Sequence, residues 1–185
     1  MRFLSNWKIA NRLVLLVLGG VIGMVTLAAI GLVEQRASLI SERQAKLRHL
    51  VETAHSLIAH YEALAAAGKT SVADAQRDAL AALQKLRYEE KDYFWVNDMQ
   101  PRMLMHPFAT KLVGEDLSNN ADPTGLKLFV EFVKVVRANG AGFVGYMWPK
   151  PGAENPVAKI SYVKGFAPWG WIVGTGVYVD DIEAA

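Results

Sequence analysis

The chain has 185 residues and no cysteine. This excludes a disulfide framework, a thiolate metal site and a cysteine nucleophile, and it fits an extracytoplasmic location without requiring one. Familiar catalytic signatures are missing as well: there is no GxSxG, no HExxH and no P-loop. The paired acids Glu89-Glu90 and Asp180-Asp181 do not converge if they lie in strands, because neighbouring strand residues point to opposite faces. Of His49, His55 and His60, no two are four apart, so no helical metal pair forms. The reading is therefore not an enzyme, with no catalytic residue, no metal and no cofactor.

Charge is scarce and uneven. The formal net charge is +2, but Arg2, Lys8 and Arg12 precede an apolar run with no acid among them. Beyond those three the chain carries 17 basic against 18 acidic residues, which is not the footprint of a nucleic-acid binder. From Leu13 to Val33 there is no charge at all. That run of about 21 residues matches the thickness of a hydrocarbon core. It is expected to be a retained transmembrane helix rather than a cleaved leader, because it continues past Ala28-Ala29 into Ile30, Leu32 and Val33. The basic residues before it put residues 1–12 in the cytoplasm. Residues 34–185 then lie on the far side of the membrane, outside the cytoplasm. Gly19 and Gly23 form a GxxxG pair on which two anchors can pack.

The chain as a whole is 52% hydrophobic in composition, enough for a folded core. Residues 34–68 read as one long helix. Leu47, Leu50, Ala54, Leu57, Tyr61 and Leu64 recur at alternating steps of three and four, widened by Val51, Ile58 and Ala65. The stripe suits a homodimer seam or packing on the helix's own domain. Gly68 is a natural stop. Ser71 and Asp74 resemble a capping box opening a second helix to about Arg87. Then the period changes. Tyr88 to Asn97 and Arg102 to His106 read as a hairpin about Asp98–Pro101. Asp122 and Pro123 open a helix to about Ala138, as N-cap and first helical residue. Three strands follow: Gly142 to Trp148, Val157 to Lys164 and Trp171 to Val179, the first two joined by the hairpin Pro149 to Pro156. The fold class is α+β: a transmembrane helix, a long helix, and a PAS-like antiparallel sheet over 88–181 with its helices on one side.

The segments YFWVND (Tyr93–Asp98), Met105-His106-Pro107, GYMWPKP (Gly145–Pro151), KISYVK (Lys159–Lys164) and PWGWIVGTGVYVD (Pro168–Asp180) make the chain resemble the single-Cache type 2 family. These are the extracytoplasmic sensor domains of bacterial chemoreceptors and some sensor kinases. The resemblance implies a five- or six-stranded sheet on a long helix, with a small pocket that takes short carboxylates such as acetate, propionate, pyruvate or lactate. It also implies a homodimer signalling across the membrane, and a downstream signalling segment that is absent from this chain. The alternatives are a sensor for urea or an amine, and a stand-alone tethered domain acting through a partner.

A small anion calls for a charged donor, neutral donors and apolar walls. Lys159, in the family's KxSY pattern, is the carboxylate donor of choice, with Tyr162 offering its hydroxyl. His106 stands at a strand end before Pro107, and Arg102 follows the turn at Pro101 as a clamp or an exposed charge. Tyr93, Trp95, Tyr146 and Trp148 supply walls, about half of them expected to touch ligand. Strand alternation places Arg102, Leu104 and His106 on one face and Met103 with Met105 on the other; it also sets Lys159, Ser161 and Val163 against Ile160, Tyr162 and Lys164.

Overall fold

The computed structural model describes residues 9–89 and 92–183. Residues 1–8, 90–91 and 184–185 lie outside that description, as do the side chains at 9–12, 14–16, 32–33, 36–37 and 182–183. Helix α1 spans Ile9–Ala66. The chain divides into two compact units, Met1–Glu42 and Arg43–Ala185. Among the described residues no helix is long and apolar enough to cross a membrane. The run 13–33 includes five of the undescribed side chains, and most of the stretch 1–12, expected to be cytoplasmic, lies outside the described residues too.

In the second unit, α1 ends where Gly68 turns the chain back and Lys69 N–H bonds the Leu64 carbonyl. Ser71 caps α2 (Val72–Lys85), its hydroxyl accepting from the Asp74 N–H at 3.0 Å, as the capping box predicts. A short ribbon of β1 (Arg87–Tyr88) and β2 (Asp92–Tyr93) precedes a five-stranded antiparallel sheet. Its strands are β3 (Trp95–Asp98), β4 (Met103–Met105), β5 (Ala141–Pro149), β6 (Pro156–Phe166) and β7 (Trp171–Tyr178), in the order β4-β3-β7-β6-β5. Helix α3 (Leu128–Asn139) joins β4 to β5, and a short α4 (Val179–Glu183) follows β7.

Helices cover both faces of the sheet, not one. Leu47, Val51, Ala54 and Ile58 of α1 pack with Ala79 and Leu83 of α2 on Phe94, Val96, Tyr162 and Val173. Phe129, Phe132 and Val136 of α3 pack on Trp95, Tyr146, Val163 and Ile172 of the opposite face. The central strands require this, because Tyr162-Val163 and Ile172-Val173 are apolar on consecutive positions and bury both faces. The buried part of the α1 stripe thus meets its own sheet.

The helix expected at Asp122 begins later, at Leu128, with Lys127 as its N-cap. Asp122 is buried and organises the preceding turn. Its carboxylate accepts from the Thr124 hydroxyl, the Thr124 and Leu126 N–H groups, and Met147 N–H of β5. These bonds use up the oxygen an N-cap would offer and pin the loop to the sheet.

One irregularity aims the site. Val96 pairs with Met105, but Asn97 pairs with Met103. One extra residue therefore sits in β4, a β-bulge. An extra residue flips every later side chain. Met103 consequently joins the α3 side and Met105 the α1–α2 side, so the two do not share a face. The same flip turns His106 toward α3.

Candidate functional site

Two adjoining cavities lie on the α3 side of the sheet. The inner one has a volume of about 10 Å³, room for one water. It is lined by Tyr93, Trp95, His106, Tyr146 and Trp148 from the sheet side and by Leu128, Phe129 and Phe132 from α3. The outer one, about 150 Å³, opens between Phe108-Ala109 and the β5–β6 turn, Pro149 to Ala153. Tyr93, His106 and Trp148 border both. No acidic residue is among the described linings of either.

Lys159 stands behind this wall, only 2% exposed. In register it sits between Tyr146 of β5 and Tyr178 of β7, so the three share a face. Its ammonium donates to the Tyr93 hydroxyl at 3.1 Å and to the Tyr178 hydroxyl at 3.5 Å. It lies 4.4, 4.6 and 5.7 Å from the ring centres of Tyr93, Tyr178 and Trp95, a cation–π cage. Burial pushes its pKa down to about 7, and the Asp92 carboxylate works in the other direction. Asp92 is itself pushed up to about 6, by burial and then by the charge of Glu89, while Lys159 pulls it down. Burial raises the Tyr93 phenol to about 12 and drives Tyr146 and Tyr178 upward, so all three remain proton donors. Tyr146 pairs its hydroxyl with Ser161 at 2.9 Å.

His106 is held in one protonation state. Its Nδ1 accepts backbone N–H bonds from Phe108 at 3.2 Å and Ala109 at 2.8 Å. Nδ1 therefore carries no proton, and Nε2–H is the ring's donor. Burial, then the charge of Lys159, pushes the pKa down to about 3. A base depressed in the folded state favours folding above its unfolded pKa, and that contribution is lost as pH falls from about 6.5 toward 3. In an NMR titration between about pH 8 and 5, the His106 ring resonances should stay fixed. A His106 midpoint near 6.5 would contradict the depression by burial.

The structure brings six of the eight expected residues together. Tyr93, Trp95, His106, Tyr146 and Trp148 line the inner cavity, with Lys159 behind them. Tyr162 points the other way, into the α1–α2 core, with its ring 4.7 Å from Phe143 and under the Arg48 guanidinium. Arg102 is exposed, and its guanidinium is spent on the Gly114 carbonyl at 2.7 Å; it reaches neither cavity. Phe129, Phe132 and Tyr178 were not anticipated. The α3 rings read as an ordinary amphipathic stripe, and Tyr178 lies within the Pro168–Asp180 segment without being singled out there as a donor.

Two glycines shape the floor. A Cβ on Gly174 would lie 2.5 Å from Cζ2 of Trp95, so the indole of Trp95 stacks where a side chain would stand. A Cβ on Gly176 would overlap the Ser161 hydroxyl.

Residues 39–185 match the single Cache domain 2 family. Methyl-accepting chemotaxis protein McpP of Pseudomonas putida is 46% identical over 184 residues, covering 100% of this chain and 34% of that protein; the chain thus spans about a third of that relative's length. A solved periplasmic sensor domain of a chemotaxis protein is 57% identical with a TM-score of 0.75, covering 76% of this chain and 98% of that one. A second solved domain, described as a Cache chemosensory domain that recognises carboxylic acid, is 49% identical with a TM-score of 0.75, covering 77% and 97%.

Proposed function

Because the chain belongs to the single Cache domain 2 family, we propose that residues 34–185 are a periplasmic sensor for a monocarboxylate of two to four carbons, and that the protein reports its occupancy across the bacterial inner membrane as part of a chemoreceptor. The carrying observation is the donor set. Tyr93, His106 and Trp148 surround a cavity with no acid among its described lining residues, and the Lys159 ammonium sits directly behind Tyr93. An anion gains charge-assisted bonds there. An amine would need an acid or a free aromatic cage, and the cage already holds Lys159. The carboxylic acid recognised by the solved relative supports the same reading.

The anchor is the run 13–33. Its described apolar side chains are open, Leu27 at 72% and Met24 at 69% exposed, an apolar surface that calls for lipid or a partner helix. A second copy of the chain packs there in the homodimer.

Calorimetry on the full chain in lipid nanodiscs tests the ligand class. Acetate, propionate, pyruvate or lactate should give saturable heat, with urea and methylamine silent. Binding of urea or methylamine with no response to any short acid would overturn the reading.

A further inference from the structure

We propose that Phe129, in the first turn of α3, sets the longest acyl chain the site accepts. The inference rests on the carboxylate reading and adds a specificity-determining residue to it. The donors Tyr93, His106 and Trp148 stand where the inner and outer cavities meet. A carboxylate held at that junction sends its carbon chain into the inner cavity, which is closed at the far side by α3. The space there is about 10 Å³, near the size of one water or one methyl group. The donors therefore fix one end of the ligand, and the α3 rings fix its length.

Of those rings, Phe132 is fully buried. It is held by Trp95 at 5.5 Å, Tyr146 at 5.4 Å and Phe129 at 5.5 Å between ring centres, so it cannot be trimmed without disturbing the core. Phe129 has fewer ties. Its ring meets Phe132 edge-on and Trp148 edge-on at 6.0 Å, which places it between the closed end and the donor junction. Trimming it extends the inner cavity along the direction of the ligand's chain and leaves Tyr93, His106 and Lys159 in place. Each methylene admitted into that apolar space strengthens binding about fourfold, the transfer free energy of one CH₂.

The test is calorimetry on the full chain in nanodiscs with formate, acetate, propionate, butyrate, pentanoate and hexanoate. The unaltered protein should peak at two or three carbons and lose affinity steeply beyond four. Phe129→Leu should move the optimum up by about one carbon and Phe129→Ala by about two to three, each gained methylene being worth about fourfold. Thermal melts show whether each variant folds; if the alanine variant does not, the leucine variant decides. A profile that drops uniformly, or stays unchanged, in a folded variant overturns the role of Phe129 and leaves the carboxylate reading standing. Tolerance of long acids by the unaltered protein would mean that the chain points outward, and would also overturn it. Failure of the unaltered protein to bind any acid removes the functional reading itself.

Discussion

Replacing Lys159 with Met should weaken binding of a short carboxylate by one to two orders of magnitude and, in the same protein, raise the melting temperature of the ligand-free state. Removing a hydrogen bond to a charged group costs about 1.5–3 kcal/mol, which gives the loss in affinity. The gain in stability comes from the cage. A buried ammonium has given up its water for two phenol oxygens and three ring faces, and its depressed pKa records that cost. Exchanging buried charged groups for well-packed apolar ones is often neutral or stabilising by about 1–4 kcal/mol. Methionine matches the lysine stem in length and packs well against aromatic rings. The opposite signs make the test discriminating. If stability and binding fall together, Lys159 is a structural strut. If binding is unchanged, it is not part of the site.

The second large effect is on pH. Carboxylate affinity should hold between about pH 5 and 7 and fall about tenfold per pH unit above 7. Lys159 is a base whose folded value lies below its ordinary one, so it is charged below about 7 and neutral above. A bound carboxylate favours the ammonium, and binding above that point must recruit a proton. Calorimetry in buffers of different ionisation heat should show close to one proton taken up per ligand at about pH 8 and little at about pH 6. Asp92, raised to about 6, is the competing acceptor, and the Asp92→Asn variant separates the two: uptake that persists belongs to Lys159. The same depression makes ligand-free stability rise from about pH 7 toward 10, where the unfolded chain binds the extra proton. Uptake that does not change with pH would sink the assignment.

Local signals in the sequence carried much of this architecture. The Ser71–Asp74 box and the Pro149–Pro156 hairpin stand where expected, because caps and turns are decided by near neighbours. Two of the misreadings depended on contacts outside the segment being read. Asp122 looks like an N-cap until Met147 of β5 claims one of its oxygens. The alternation of β4 fails at a bulge set by pairing with β3. Alternation along β6 does hold, and it already placed Tyr162 on the face opposite Lys159, so the two could not share a pocket. It equally placed Ser161 beside Lys159, where it holds Tyr146. The α3 rings carry no signal that separates a pocket wall from core, since both are apolar at helical spacing.

Gly174 and Gly176 bear on how this site can change over time. Neither is among the described linings of the two cavities, yet Trp95 and the Ser161–Tyr146 pair occupy the room their missing side chains leave. The depth of the pocket is therefore written partly in atoms that are not there. A lineage shifting its ligand preference can vary a wall such as Phe129 one methylene at a time. It has no small step available at position 174 or 176, where the first added carbon displaces an indole or a hydroxyl. Adaptation of this sensor is channelled onto the helix side of the pocket, while the strand side stays fixed.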